Sequence, residues 1–238
     1  RVKMVRSINS YKSFDIKEKH KRSIILIGNF DGLHLGHQKL FSLAKKYKIR
    51  HSLMLGVLTF EPMPKMYFNP NIKNFRISNH QQKVNLLKKF NVDYEIKKKF
   101  DKRFSKTKSV EFIKSILAKK LNAKFIFVSN NFKFGNKREG NVNQLINYQN
   151  KYGYKIIKPK PLKFKSRIAS SSLIRNFLER GYLDKANRLL NRNSTIIGKV
   201  EKGRQIGKKI GFPTCNIDIK NYILAKTGVY AVKVKVKK

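Results

Sequence analysis

The chain has no tryptophan, a single cysteine, and only 13 acidic residues against 56 lysines and arginines in 238 positions. One cysteine excludes an internal disulfide framework and fits a reducing cytoplasm, the expected localisation. No apolar run approaches the roughly 18 residues of a membrane-spanning helix, so no membrane partner is expected. The opening RVKMVRSINS is charged and has no apolar centre, so it does not read as a signal peptide. It also lacks an initiator Met, and the chain is expected to be processed or a fragment. The shortage of acid leaves a formal charge of +43. Taken alone, that argues for a polyanion partner. The lysines, however, are spread over the whole chain among many Asn and Ile, which is a compositional bias and not a footprint. Salt-sensitive sticking is expected, and no specific nucleic acid.

What is present is organised around residues 24–40, IILIGNFDGLHLGHQKL. The apolar run Ile24 to Ile27 reads as a buried parallel strand ending at Gly28. Leu40, Leu43 and Ala44 then follow the period of an amphipathic helix. Strand, Gly-rich turn and helix together offer free backbone N–H groups to a phosphate. His34 and His37 stand at the mouth of that helix on either side of Gly36, where imidazoles can donate to an anion near neutral pH. Asn29 and Asp31 are turn formers in their own right. A metal reading of the two histidines finds no third nitrogen or sulfur ligand nearby in sequence.

GNFDGLHLGHQKL resembles the signature of prokaryotic bifunctional riboflavin kinase/FAD synthetases. The resemblance implies an α/β, Rossmann-like nucleotidyltransferase domain with a parallel sheet over residues 1–190, acting as an FMN adenylyltransferase. It implies that residues 195–238 begin an antiparallel β-barrel riboflavin kinase domain, expected to be cut short. ATP, FMN and riboflavin are the implied substrates and Mg²⁺ the implied ion. On that basis His34, His37, Asn29, Asp31 and Arg175 are the catalytic candidates, with Gly28, Phe30 and Gly36 lining the cofactor.

The rest of the chain supplies further matches. SLMLGVLTF, residues 52–60, closes a βαβ unit and ends in FEPMP, where Pro62 and Pro64 fix a turn at the carboxyl ends of the strands. The resemblance places flavin and nucleotide beside that loop, with Met63 where the family usually has His. Residues 67–75 read as irregular. Asn91 stands at a left-handed turn that the family fills with Gly. Val110, Ile113, Ile116 and Leu117 predict one apolar helical face. KFIFVS predicts a strand, and NNFKFG after it brings Asn131 for a phosphate or ribose and Phe134 as a wall for a planar ligand or a core residue. Ser170 is a natural N-cap. Ser171, Ser172 and Arg175 resemble the element that holds triphosphate oxygens, with Ala169 in a larger aliphatic place. GKKIGFPTCNI, residues 207–217, resembles the riboflavin kinase motif. There Thr214 and Asn216 are the implied Mg²⁺ and ATP ligands, or simply turn residues. Val232, Val234 and Val236 alternate with Lys as in a half-solvated strand. Small-molecule substrates are the expected partners, and the oligomeric state stays open. The competing readings are a basic RNA-associated protein with an inactive site and a nucleotidyltransferase with another substrate.

Overall fold

The computed structural model describes residues 7–203, 211–212, 214–219 and 221–236. Its centre is a six-stranded parallel sheet. The strands are β1 (Asn9–Tyr11), β2 (Ile24–Ile27), β3 (Leu55–Glu61), β4 (Tyr94–Lys99), β5 (Phe125–Phe127) and β8 (Lys155–Ile157), in the order β1-β4-β3-β2-β5-β8. All four residues of β2 are buried. Ile25 and Ile27 feed one core with Tyr94, Ile96, Ile113 and Ile126. Ile24 and Leu26 feed the other with Phe41, Leu55, Val57 and Leu87. A strand covered on both faces has no polar side to show, so it reads as an unbroken apolar run. Burying each such side chain contributes about 1.5 to 3 kcal/mol.

The connections supply the cover. Helix α1 (Leu35–His51) crosses from β2 to β3 and buries Leu40, Phe41 and Ala44. A short helix α2 (Pro64–Phe68) follows β3, so Tyr67 and Phe68 are helical where an irregular segment was expected. Pro64 starts it because its missing N–H costs nothing at that position. Helix α3 (His80–Lys89) opens with a full capping box between Asn79 and Gln82. Asn91 takes the expected left-handed conformation at φ 56°.

Two short helices, α4 (Lys102–Ser105) and α5 (Ser109–Glu111), lead into a π-helix over Phe112–Lys120. The wider i→i+5 turns displace the apolar face from a 3.6 period. Ile113, Ile116 and Leu117 are buried as expected, but Val110 is 41% exposed, a correction to the single predicted face. After β5 come the two-residue strands β6 (Lys133–Phe134) and β7 (Gly140–Asn141), then α6 (Val142–Tyr152) before β8. The hairpin of β9 (Lys163–Phe164) and β10 (Arg167–Ile168) follows, and α7 (Ser171–Glu179) and α8 (Leu183–Leu190) close the unit.

Beyond residue 190 the described residues form one antiparallel pair, β11 (Val200–Glu201) with β12 (Asn216–Ile217), and an isolated bridge from Arg76 to Tyr222. This corrects one expectation: Val232, Val234 and Val236 lie outside any strand, each at least 74% exposed. Alternation alone does not make a strand where no neighbour offers its edge. Gly207, Ile210 and Pro213 of the kinase-like motif lie outside the described residues.

Candidate active site

The chain leaves β2 toward β3 on one side of the sheet and returns to β5 on the other, with Leu26 opposite Phe127 across the β2–β5 pair. Ligands of open α/β sheets bind at such a switch point, outside the carboxyl ends of the strands. Both sequence motifs of the first domain arrive there, GNFDGLHLGH after β2 and Asn131 four residues after β5.

The turn after β2 has unusual backbone geometry. Phe30 has φ 49° and Leu33 φ 37°, both left-handed, around Gly32 at φ 77°. A Cβ at Gly32 would stand 2.9 Å from Ile77 Cγ2, so glycine is required. The strain turns Phe30 inward, where it is 3% exposed and meets His37 edge to face at 5.1 Å between ring centroids. Phe30 is therefore a support under His37 and not a wall of the ligand site.

His34 is the N-cap of α1, its Nδ1 accepting the His37 backbone N–H at 3.4 Å. The two imidazoles stack with centroids 3.7 Å apart and planes 24° from parallel. Gly36 makes room for this: a Cβ there would lie 3.1 Å from His34 Cε1 and 3.3 Å from the Ala169 carbonyl oxygen. Burial, with Arg175 and Arg192 nearby, pushes His34 down to about 4. Burial, His34 and Lys83 push His37 well below the ordinary imidazole value. The resting pair is neutral at pH 7. His37 Nδ1 is buried and has no hydrogen-bond partner among the described residues, an expensive state unless a ligand completes it.

Asp31 has a different place from the one expected. It is 4% exposed and accepts from Ile77 N and Ser78 N at 3.1 Å and from Arg175 Nη2 at 2.6 Å. Arg175 is likewise committed. Its Nε donates to the Phe75 carbonyl at 2.8 Å, and its guanidinium lies 3.7 Å from the Phe75 ring centroid. Asp31 and Arg175 form a buried pair that anchors the turn. Ser171 joins them, donating to the Asp31 carbonyl at 2.9 Å. Ser170 caps α7 by accepting from Leu173 N. That leaves Ser172 exposed at the first turn of α7 as the hydroxyl open to a ligand.

The remaining expected residues divide. Gly28 and Asn29 are half-buried at the end of β2, and Pro62 and Pro64 at the end of β3. Asn131 is exposed, its side-chain oxygen accepting from Ser129 Oγ at 3.0 Å. Phe134 is 8% exposed inside the core, packed on Phe112 and Phe132, so it is a core residue and not a flavin wall. Met63, in the usual histidine place, is 3% exposed. Thr214 and Asn216 are exposed on or beside β12, apart from these elements. Among the described residues no three His, Cys, Asp or Glu side chains gather to hold a metal.

Several residues of the site carried no signal of their own in the sequence. Ser78 donates its hydroxyl to Asp31 and accepts from Gly32 N at 3.2 Å. Arg192 Nη2 donates to the Gly32 carbonyl at 2.6 Å. Gln38 Nε2 bridges the carbonyls of Leu33 and Leu190. Phe75 and Lys83 complete the surroundings. Gln38 could have been found from its place in the first turn of α1; the others come from 46 or more residues away.

A parallel sheet with a histidine-capped helix at its switch point and a serine-capped helix beside it is the arrangement of a nucleotidyltransferase domain. A family model described as FAD synthetase matches residues 16–173, and one described as riboflavin kinase matches residues 190–238. The chain belongs to the bifunctional riboflavin kinase/FMN adenylyltransferase family. The protein of that description from Buchnera aphidicola subsp. Schizaphis graminum is 37% identical over 234 residues, covering 98% of this chain and 73% of the relative. The one from Buchnera aphidicola subsp. Acyrthosiphon pisum is 39% identical over 235 residues, with the same coverage. A crystal structure described as a macrolide-efflux protein from Streptococcus pneumoniae matches with TM-score 0.81 at 28% identity, over 93% of this chain and 72% of that one. That likeness carries the course of the chain. Among the described residues no helix is long and apolar enough to cross a membrane.

Proposed function

We propose that residues 1–190 form an FMN adenylyltransferase domain that transfers AMP from ATP to FMN, releasing pyrophosphate. A phosphate oxygen of FMN attacks the α-phosphorus of ATP. The new P–O bond forms as the bond from the α-phosphorus to the bridging oxygen breaks, and the electron pair leaves on pyrophosphate. No protein nucleophile is needed, so catalysis rests on placing two anions and stabilising charge. The observation that carries this reading is the stacked His34–His37 pair at the start of α1, with a buried ring nitrogen left to donate or accept.

The residues take these parts. His34 and His37 face the ATP phosphates, with the N–H groups of α1 behind them. Ser172 and the first turn of α7 receive the far phosphates, while Ser171, Asp31 and Arg175 hold the turn in place. Asn29 and Asn131 border the nucleotide and the flavin phosphate, and Pro62 and Pro64 border the flavin. Mg²⁺ belongs to ATP, since this ion binds mainly through substrate phosphates. Residues 195–238 belong to the riboflavin kinase part, where Thr214 and Asn216 serve ATP. The protein works in the cytoplasm on small molecules, with no specific nucleic acid.

Incubation with ATP, Mg²⁺ and FMN, followed by separation of the flavins, tests the reading. FAD with an equal amount of pyrophosphate is expected. Riboflavin in place of FMN tests the second activity separately. Absence of FAD with a folded protein and saturating substrates would overturn the assignment.

A further inference from the structure

Beyond residue 190 the described side chains are exposed or half-buried, with one exception: Tyr222 is 5% exposed. A buried phenol needs a partner for its hydroxyl. This one has two, one from each part of the chain. It donates to Gln82 Oε1 at 2.7 Å and accepts from Ile197 N at 3.4 Å. Gln82 is itself fixed, since it closes the capping box of α3 with Asn79. Its Nε2 also donates to the Thr195 carbonyl at 2.8 Å.

The backbone around Tyr222 pairs with residues 75–78. Arg76 donates its N–H to the Asn221 carbonyl at 2.7 Å, and its carbonyl accepts from Ile223 N at 2.8 Å. These two bonds are the parallel bridge between Arg76 and Tyr222. In parallel pairing one residue turns both polar backbone groups to its neighbour, and the residues on either side of it face the other way. Here they face the Asp31 turn. The Phe75 carbonyl accepts from Arg175 Nε at 2.8 Å, and Ile77 N donates to the Asp31 carboxylate at 3.1 Å. Ser78 N donates to the same carboxylate at 3.1 Å, and its hydroxyl accepts from Gly32 N. The side chains add to this grip. Ile223 packs against the apolar cluster that holds Ile77, Ile174 and Leu189, and Arg76 pairs with Glu61 at the end of β3. Residues 75–78 are held by residues 221–223 along one edge and by Asp31 and Arg175 along the other.

We propose that Tyr222 is a positioning residue for the adenylyl transfer, locking residues 221–223 against residues 75–78 so that the Asp31 turn and the His34–His37 pair beside it are held in place. The inference rests on the function proposed above and deepens it. A segment within residues 190–238, matched as riboflavin kinase, braces the site of the other domain. Backbone polar groups taken from water must be paired. Without residues 221–223 both such groups of Arg76 lose their partners, and the donors that fix the Asp31 carboxylate shift with them. A misplacement of about 1 Å at a reacting group can cost roughly 10²-fold in rate. The competing account is that Tyr222 only docks one part of the chain on the other.

The test uses the full chain with Tyr222→Ala and Tyr222→Phe. The phenylalanine keeps the packed ring and loses only the hydroxyl. Hydrogen exchange of single amides, followed by NMR, reads the clamp independently of any activity. In Tyr222→Ala the Ile77 and Ser78 amides should exchange about tenfold faster, the scale of one lost hydrogen bond. The Leu26 and Ile27 amides of β2 should exchange as in wild type. For FAD formation from FMN, kcat should fall about tenfold with KM for FMN unchanged, short of the loss from gross misplacement. Tyr222→Phe should show both effects at about threefold. If Tyr222→Ala unfolds, the same readings on Tyr222→Phe decide. Docking alone predicts a lower melting temperature with wild-type exchange at Ile77 and Ser78 and wild-type kcat, and that result overturns the inference. A fall in kcat without faster exchange overturns it too, as does faster exchange with kcat unchanged at saturating substrates. A wild type that makes no FAD overturns the proposed function instead, and the exchange of Ile77 and Ser78 still decides whether Tyr222 holds the turn.

Discussion

The two stretches with the most specific motifs, residues 24–40 and the described residues of 207–217 (211–212 and 214–217), sit in contrasting surroundings. The first lies between a strand buried on both faces and a helix, and its side chains are locked by contacts from α3, α7 and Arg192. The described part of the second is exposed on a ribbon of two residue pairs. Both are equally legible as sequence. A motif becomes a site when tertiary neighbours fix its side chains, because only then is the entropy of aligning them met by folding and not by binding.

If that contrast is right, the largest effect comes from the centre of the first region. Asp31→Ala leaves Arg175 buried without its carboxylate and should cost about 3 to 5 kcal/mol, read as a lower denaturant midpoint with unchanged slope. A loss under about 1 kcal/mol would mean that the pair is not the anchor described.

His37→Ala should strike chemistry instead. Ala is the better helix former, so the melting temperature should hold while kcat falls by about 10² to 10³, or roughly 3 to 4 kcal/mol of barrier. Unchanged kcat at saturating ATP and FMN would take His37 out of the site.

Gly36→Ala sharpens the distinction between stability and geometry. The added methyl meets His34 Cε1 at 3.1 Å, so the ring must turn. Helix propensity favours Ala by up to about 1 kcal/mol, which offsets part of the crowding. Misplacing the ring should cost up to roughly 10²-fold in rate with little change in melting. Wild-type turnover would show that the stacked arrangement is not required.

The acid side of the stability curve should also report on the first region. His34 is pushed from 6.5 to about 4, so below pH 6.5 the unfolded chain binds a proton that the native state refuses. Its contribution is complete above pH 6.5 and declines as pH falls toward 4. His34→Asn keeps a capping acceptor and should flatten the decline between those values. A slope equal to that of wild type would refute the burial argument.

The smallest effect belongs to the second region. Asn216→Ala should change stability by no more than about 0.5 kcal/mol, as expected for an exposed side chain, and leave FAD synthesis untouched. A slower adenylyl transfer in that variant would erase the separation between the two regions.

Local pattern made much of this readable from the amino acids. The β2–turn–α1 unit, the strands around it, the left-handed Asn91 and the serine cap of α7 all depend on residues within a few positions of one another. Such features follow from backbone sterics and hydrophobic period, which a linear sequence displays directly. The use of each side chain was decided elsewhere. Asp31, Arg175, Phe30 and Phe134 were identified as residues that matter, but contacts from 46 to 144 positions away turn the first two into an internal anchor. Core packing closes over the two phenylalanines. Ser78 and Arg192 carried no local signal because their contacts exist only once the segment before α3 and the segment after α8 fold against the turn. The sequence by itself determined where a strand, a Gly-rich turn and a helix offer free backbone N–H groups. Only the tertiary structure decided which polar groups remain free, since a buried carboxylate or guanidinium must first be satisfied by its neighbours.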